Sequence, residues 1–70
     1  MTIDLDGRQR GNLRAGLLVD VILKEDQGTG ALTRGVVKDI LTPSATHPRG
    51  IKVRLHNGLV GRVQRILPHL

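Results

Sequence analysis

The residues of this chain best suited to chemistry are cations near its C-terminal end. After Asp39 the sequence contains no further Asp or Glu but five lysine and arginine residues. These are Arg49, Lys52, Arg54, Arg62 and Arg65. An arginine guanidinium matches the geometry of a phosphate, and a lysine supplies a point charge. A one-sided positive surface of this kind predicts an anionic partner, and nucleic acid is the partner we expect.

The stretch GIKVRLHNGLVGRVQRIL, which carries four of these cations, has the pattern of two short strands around one turn. A two-residue Asn-Gly loop would place Val53 on the same face as Arg62 and so mix apolar with charged side chains. A three-residue His-Asn-Gly loop instead pairs Val53 with Gly61, and it puts Gly58 where a left-handed residue is required. Because register follows the hydrophobic pattern, we predict the three-residue loop, with Lys52 opposite Arg62.

The predicted register brings Lys52, Arg54 and Arg62 to one outward face of the hairpin. Arg49 and Arg65 flank this face, and we include both among the candidate nucleic-acid-binding residues. Like charges directly across a sheet cost stability, so the face is either simply well solvated or occupied by an anionic partner. The chain has no Phe, Tyr or Trp on which bases could stack. We therefore expect contact with the backbone of structured RNA, with weak and steeply salt-dependent binding.

The composition limits the class of protein. A chain of 70 residues buries little apolar surface, so it forms one small domain of marginal stability. There is no Cys, which rules out disulfides and suits a reducing cytosol. No apolar run approaches the roughly 18 residues of a membrane span, and the acidic N-terminus is unlike a signal peptide. We expect a cytoplasmic monomer that makes no membrane contact.

The remaining side chains give little indication of a catalytic or metal-binding site. His47, His56 and His69 lack the spacing that is typical of metal ligands, and no Cys accompanies them. Ser44 lies three residues before His47, but neither a nucleophile elbow nor an orienting acid goes with this pair. We predict a protein that is not an enzyme and that requires no metal or other cofactor.

Two further segments have the pattern of strands. LLVDVIL, residues 17–23, predicts a strand whose alternate apolar residues face a core, with Asp20 on the other side of the pleat. LTRGVVKDIL, residues 32–41, predicts a second strand. Within it GVVKDIL shares Gly-x-Val-x-x-Ile-Leu with the later GRVQRIL, so apolar residues are three apart rather than two. This spacing indicates a bulge or coil in each bent strand, and Gly35 and Gly61 mark a bend or a closely packed neighbouring strand.

These patterns predict an all-β domain, a small SH3-like barrel of four to five bent antiparallel strands with little or no helix. We expect residues 1–6 to form a flexible tail and residues 7–70 to form the barrel domain. Residues 7–16 fit either a flexible basic lead-in or a loop that crosses the barrel mouth. The proline-containing loop of residues 42–50 is a candidate second contact surface, although its polar side chains are more simply explained as holding the loop.

Two resemblances support this interpretation. Residues 15–40, AGLLVDVILKEDQGTGALTRGVVKDI, are similar to KOW-type elements, which occur in SH3-like barrels of ribosomal proteins and transcription elongation factors and contact RNA or protein. The stretches KEDQGTGALTRGVV, ILTPSATHPRGIKVRL and GLVGRVQRI, with Arg8 and Gly16, resemble the YwbE-like family of small prokaryotic proteins over nearly the whole chain. That family is uncharacterised, so the resemblance implies a KOW-like barrel and transfers no activity and no catalytic residue.

The first hypothesis is a small RNA-binding module, ribosome- or RNP-associated, that docks through the last hairpin. The alternative is a protein-interaction module that uses an acidic partner surface or a strand added to an exposed sheet edge. Phosphate binding predicts a loss of affinity on changing Lys52, Arg54 or Arg62. Strand addition predicts tolerance to those changes and sensitivity to proline at a sheet edge.

Overall fold

The computed structural model describes residues 7–67, which contain four β-strands and two short 3-10 turns. The strands are β1 (Leu18–Leu23), β2 (Thr33–Ile40), β3 (Lys52–Leu55) and β4 (Val60–Ile66). The 3-10 turns cover Arg10–Asn12 and Lys24–Asp26. The predicted tail of residues 1–6 lies outside the described residues, as do the last three residues of the predicted domain.

The four strands form a closed barrel in which every neighbouring pair is antiparallel. Sequential strands pair with each other, and β4 pairs back onto β1 to complete the ring. The prediction of a small all-β barrel with almost no helix is therefore confirmed. The sequence did not predict whether the barrel closes, because closure depends on pairing between the first strand and the last.

The barrel interior is filled by aliphatic side chains, as the absence of aromatic residues requires. The predicted alternation of β1 is confirmed for Val19, Val21 and Leu23, which are buried, whereas Leu17 packs on the core from a half-buried position. The other buried apolar residues are Leu13, Val37, Ile51, Val53, Leu55, Val63 and Ile66. Strictly alternating burial along β3 leaves Lys52 and Arg54 exposed.

Both predicted bulges are present, and each inserts one residue into a strand. Val37 pairs with Leu55 but Asp39 pairs with Arg54, so Lys38 is the extra residue of β2. The register between β1 and β4 shifts likewise, which makes Gln64 the extra residue of β4. Such bulges increase the local twist and bend the strand, which helps so few strands to close into a barrel.

The repeated strand geometry around two glycines is explained by close packing. A Cβ atom at Gly35 would lie 2.7 Å from Leu55 Cδ1, and one at Gly61 would lie 2.8 Å from the Ile22 carbonyl oxygen. The neighbouring strand therefore crowds both positions, as predicted from the repeated motif.

The segment before β1 is a loop that packs along residues 42–51. The amide of Arg10 donates to the carbonyl of Ala45 at 2.8 Å, and the amide of Ile51 donates to that of Gly7 at 2.9 Å. Leu13 is buried in the core. Of the two interpretations of this segment, a loop docked on the barrel is the one that the structure supports.

Candidate nucleic-acid interface

The hairpin between β3 and β4 has the predicted register. Lys52 lies opposite Arg62, and Val53 lies opposite Gly61. The three-residue loop closes with a hydrogen bond of 2.8 Å from the Leu55 amide to the Leu59 carbonyl. Gly58 has φ +89°, the left-handed conformation that the loop requires. The outward direction of Lys52 and Arg62 follows from this register.

Arg54 shares the outward face, and among the described residues it differs from Lys52 and Arg62 in having an acidic partner. Its Nη1 atom lies 3.3 Å from Asp39 Oδ2, and both side chains are about half exposed. The expectation that no acid opposes the C-terminal cations was therefore wrong for Arg54. The reason is the pairing of β2 with β3, which sets Asp39 beside Arg54 although fourteen residues separate them in the chain.

Lys52 and Arg62 line a groove whose opposite wall is formed by the end of β1 and the turn that follows it. Closure of the barrel creates this groove, because Ile22 of β1 lies opposite Arg62 in the β1–β4 register. We call it the basic groove. It is lined by Ile22, Lys24, Gln27, Arg49, Lys52, Val60, Gly61, Arg62 and Gln64. These lining residues include four cations and no carboxylate, whereas Glu25 and Asp26 belong to the same turn but do not line the groove.

Arg49 reaches the groove because its loop is fastened to β4. Gln64 Nε2 donates a hydrogen bond of 3.0 Å to the carbonyl of Arg49. The adjacent Gly50 has φ +102°, and a Cβ atom there would overlap the Val63 carbonyl oxygen. Arg62 Nη1 in turn donates to the Gly50 carbonyl at 3.2 Å. These contacts hold Arg49 and Arg62 on the same side of the barrel.

The polar side chains of the proline-containing loop mainly hold the loop together. His47 Nδ1 accepts a hydrogen bond of 3.1 Å from the Arg49 amide, and Thr42 Oγ1 accepts one of 2.8 Å from the Lys52 amide. This agrees with the prediction that the individual polar side chains hold the loop. The result is a fixed path for the backbone that presents Arg49.

The structure brings three of the five predicted residues into the groove, namely Arg49, Lys52 and Arg62. Arg54 lies on the same face of the hairpin outside it, paired with Asp39. Arg65 lies beyond the bulge of β4, opposite Asp20, and is exposed outside the groove.

Sequence reasoning missed three groove residues that β1 and its following turn contribute, which are Ile22, Lys24 and Gln27. Lys24 and Gln27 lie in a polar segment that has the composition of an ordinary turn. The only signal that could have found them is the pairing of β1 with β4, and no local motif encodes that pairing.

On the side of β1 that pairs with β2, away from the basic groove, an arginine is paired with an acid. Asp20, expected on the outward side of the pleat, is only 4% exposed. Arg34 of β2 pairs with it in register and donates from Nε and Nη2 at 2.9 and 3.4 Å. The hydrogen bond and the charge of Asp20 raise the pKa of the Arg34 guanidinium above its ordinary value.

The fold and the groove together define a small basic β-barrel protein. The family described as "Uncharacterized conserved protein (DUF2196)" matches residues 6–66, and the chain belongs to this family. It is similar to the "Uncharacterized protein YwbE" of Bacillus subtilis (strain 168), with 57% identity over 63 residues, which is 90% of this chain and 97% of the relative. The predicted family is thereby confirmed. No solved structure matches the chain. Among the described residues, no helix has the length and apolar character needed to cross a membrane.

Proposed function

We propose that this protein is an RNA-binding module that contacts the phosphate backbone of structured RNA through its basic groove. The observation that carries the proposal is the groove itself, in which four cations face solvent without a carboxylate among the described lining residues. Cations gathered in a cleft concentrate positive potential and attract polyanions. In the proposed setting the protein acts as a cytoplasmic monomer, bound to the ribosome or another RNP, and has no catalytic role.

The way in which Arg62 is held supports this role. Within the part of the chain that the structure describes, its hydrogen-bond acceptor is a main-chain carbonyl, that of Gly50, which carries no charge. A neutral acceptor orients the guanidinium and leaves its full charge for a ligand, and the remaining N–H groups of the fork are donors suited to phosphate. Lys52, directly opposite, adds a second positive charge. Bound phosphate would relieve the repulsion between these two side chains.

The chemistry of the groove favours backbone contact over base reading. The chain lacks the aromatic side chains on which single-stranded bases usually stack. The side chain of Gln27, which is exposed in the groove, offers an amide that can hydrogen-bond a ribose 2′-hydroxyl. A structured RNA presents both phosphates and 2′-hydroxyls without requiring splayed bases. We therefore propose RNA in preference to duplex DNA as the ligand.

The alternative of strand addition receives less support from the fold. Each of the four described strands already has two hydrogen-bonded neighbours, so none of them offers an open edge to an added strand. An acidic protein surface could still complement the groove, and it is distinguished from RNA by experiment.

The proposal is tested by fluorescence anisotropy of labelled RNA hairpins, single-stranded RNA and duplex DNA, titrated with the protein at low and near-physiological salt. The test variant is Lys52→Gln/Arg62→Gln, which removes two charges from the groove. Its matched control is Arg14→Gln/Lys38→Gln, which removes two charges from exposed residues outside the groove. The folding of each variant is checked by two-dimensional NMR, because the chain has no Trp or Tyr to report on it.

We expect the wild-type protein and the control to bind the RNA hairpin with similar affinity, and the groove variant to bind it about tenfold or more weakly. The logarithm of the affinity should fall linearly with the logarithm of the salt concentration. Equal binding by the two folded variants would refute the proposal, as would failure of the wild-type protein to bind RNA at low salt. In either case an acidic protein would become the preferred partner.

A further inference from the structure

A second cleft adjoins the basic groove, and its walls are mainly apolar. It lies between the turn that follows β1 and the loop of the hairpin, and it is lined by Leu23, Lys24, Glu25, Gly58, Leu59 and Val60. We call it the apolar cleft. Lys24 and Val60 also line the basic groove. Because the two share these residues, an RNA held in the groove lies beside the apolar cleft.

The apolar cleft is built around a leucine that the hairpin loop holds in an exposed position. Leu59 is 39% exposed. Its amide donates to Asn57 Oδ1 at 3.0 Å, and its carbonyl accepts the Leu55 amide at 2.8 Å. Val60 and Leu23 add further apolar surface to the walls. An apolar surface with a polar rim is typical of a site that binds a ligand or a partner.

The polar rim carries a carboxylate, which limits what the cleft can bind. Glu25 is exposed, and within residues 7–67 neither Glu25 nor Lys24 has a side-chain hydrogen bond or ion pair. A carboxylate accepts hydrogen bonds and repels phosphate. The group that fits beside Glu25 is therefore an uncharged hydrogen-bond donor with an apolar body, and not a further phosphate.

We propose that the apolar cleft binds one unpaired guanine base of the RNA whose backbone lies in the basic groove. The face of a base packs on apolar side chains, and its Watson–Crick edge is read by hydrogen bonds. Guanine presents two adjacent donors on that edge, N1–H and the 2-amino group, which match the two oxygens of the Glu25 carboxylate. In adenine, cytosine and uracil an acceptor lies beside the donor and would face the carboxylate.

This inference rests on the proposed function and deepens it, because it adds a base-specific contact to a groove that holds the RNA backbone. The stem of a structured RNA supplies the phosphates, and its loop supplies the unpaired base. Lys24 lies on the boundary between the two contacts, since it lines both the basic groove and the apolar cleft.

The guanine contact is tested with RNA hairpins that share one stem and a loop of uridines. A single guanine or adenine replaces each loop position in turn, so the position that reaches the cleft is included. Anisotropy titrations at low and near-physiological salt measure the affinity of the wild-type protein for each hairpin. Guanine and adenine have similar apolar faces, so the ratio of their affinities isolates the contact to the Watson–Crick edge.

We expect guanine to bind about five- to twentyfold more tightly than adenine at one or more loop positions, as a bidentate contact to a base edge allows. Inosine at the same position lacks the 2-amino group and should reduce this preference. The methyl NMR signals of Leu59 should shift upfield with the guanine hairpin, because a stacked ring shields methyl groups that contact its face. This second readout needs no variant.

Two pairs of variants locate the contact. Glu25→Gln and Asp26→Asn each remove one negative charge from the same turn, but only Glu25 lines the cleft. Leu59→Ser and Leu32→Ser each truncate an exposed leucine, and Leu32 does not line the cleft. We expect Glu25→Gln to abolish the preference for guanine and Asp26→Asn to keep it. Leu59→Ser should weaken binding of the guanine hairpin about threefold or more, whereas Leu32→Ser should bind it like the wild-type protein.

Two results would overturn the guanine contact. One is that no loop position prefers guanine to adenine, and the other is that Glu25→Gln and Asp26→Asn retain the same preference. An apolar side chain of a protein partner would then become the preferred occupant of the cleft, and loss of hairpin binding by Lys52→Gln/Arg62→Gln would still identify the basic groove as the RNA site. If that groove variant binds every hairpin like the wild-type protein, the proposed function fails and the guanine contact fails with it.

Discussion

Two arginines on opposite sides of β1 are held by different kinds of acceptor. Arg34 donates two hydrogen bonds to the buried carboxylate of Asp20, so its charge is neutralised where it stands. Arg62 donates to the Gly50 carbonyl, an uncharged acceptor that orients the guanidinium without neutralising it. Arg34 therefore belongs to a structural ion pair, whereas Arg62 is oriented by a partner that does not neutralise its charge.

The difference extends from these two residues to the regions around them. Asp20 lies where the register between β1 and β4 shifts, with Arg34 opposite it on one neighbouring strand and Arg65 opposite it on the other. On the groove side the loop of Arg49 is fastened by an amide, that of Gln64, which again carries no charge. Neutral hydrogen bonds thus fix the shape of the groove while its positive potential is preserved.

The largest effect should come from breaking the backbone contact that shapes the groove. We expect Gly50→Ala to lower the melting temperature by about 10–20 °C, because φ is positive and the added Cβ would overlap the Val63 carbonyl oxygen. Thermal unfolding followed by far-ultraviolet circular dichroism measures it. Gly11→Ala is the control, since a Cβ there meets nothing within 4 Å. Equal melting temperatures for the two variants would show that the groove does not depend on this close approach.

The next largest effect on stability should come from breaking the pair of Asp20 and Arg34. We expect Asp20→Asn to lower the melting temperature by about 5–10 °C, because a nearly buried carboxylate that accepts two hydrogen bonds from Arg34 is replaced by a neutral amide. Binding of RNA should stay within about twofold of wild type, since Asp20 does not line the groove. Circular dichroism and anisotropy on the same sample check both expectations. A loss of RNA binding without a loss of stability would contradict the division of the molecule into two regions.

The features that the sequence predicted are those set by neighbouring residues. Alternation in β3 and the His-Asn-Gly loop were enough to give the hairpin register and the outward direction of Lys52 and Arg62. The Val-x-x-Ile spacing was enough to reveal both bulges, since an extra residue changes the local period from two to three. Each of these signals lies within a few residues of the structure that it specifies.

The features that were missed depend on pairing between distant strands. Asp39 neutralises Arg54 because β2 pairs with β3, and Asp20 forms an ion pair with Arg34 because β1 pairs with β2. Lys24 enters the groove because β4 returns to β1. Charge counted along the chain treats all cations alike, whereas pairing across strands decides which of them has a partner. The sequence therefore identified the basic hairpin but could not divide its cations into neutralised and available ones.

A smaller effect of opposite sign should appear within the groove. We expect Lys52→Gln to raise the melting temperature by about 2–4 °C, because Lys52 lies directly opposite Arg62 and like charges across a sheet repel. The same change should weaken RNA binding, so stability and affinity move in opposite directions. Lys38→Gln, at the exposed extra residue of the β2 bulge, should alter neither quantity appreciably. A lower melting temperature for Lys52→Gln would mean that Lys52 stabilises the fold, and it would contradict the expected repulsion between Lys52 and Arg62.

The smallest effect should come from the exposed pair that lies between the two regions. Asp39→Asn should change the melting temperature by no more than about 2 °C, because an ion pair of 3.3 Å between half-exposed side chains contributes little to stability. It also releases Arg54 beside the groove, so RNA affinity should rise about twofold at low salt and the gain should shrink as salt increases. The double variant Asp39→Asn/Arg54→Gln separates the two causes. If the gain comes from Arg54 it disappears in the double variant, and if it persists there, loss of the negative charge at Asp39 alone explains it and Arg54 lies outside the RNA site.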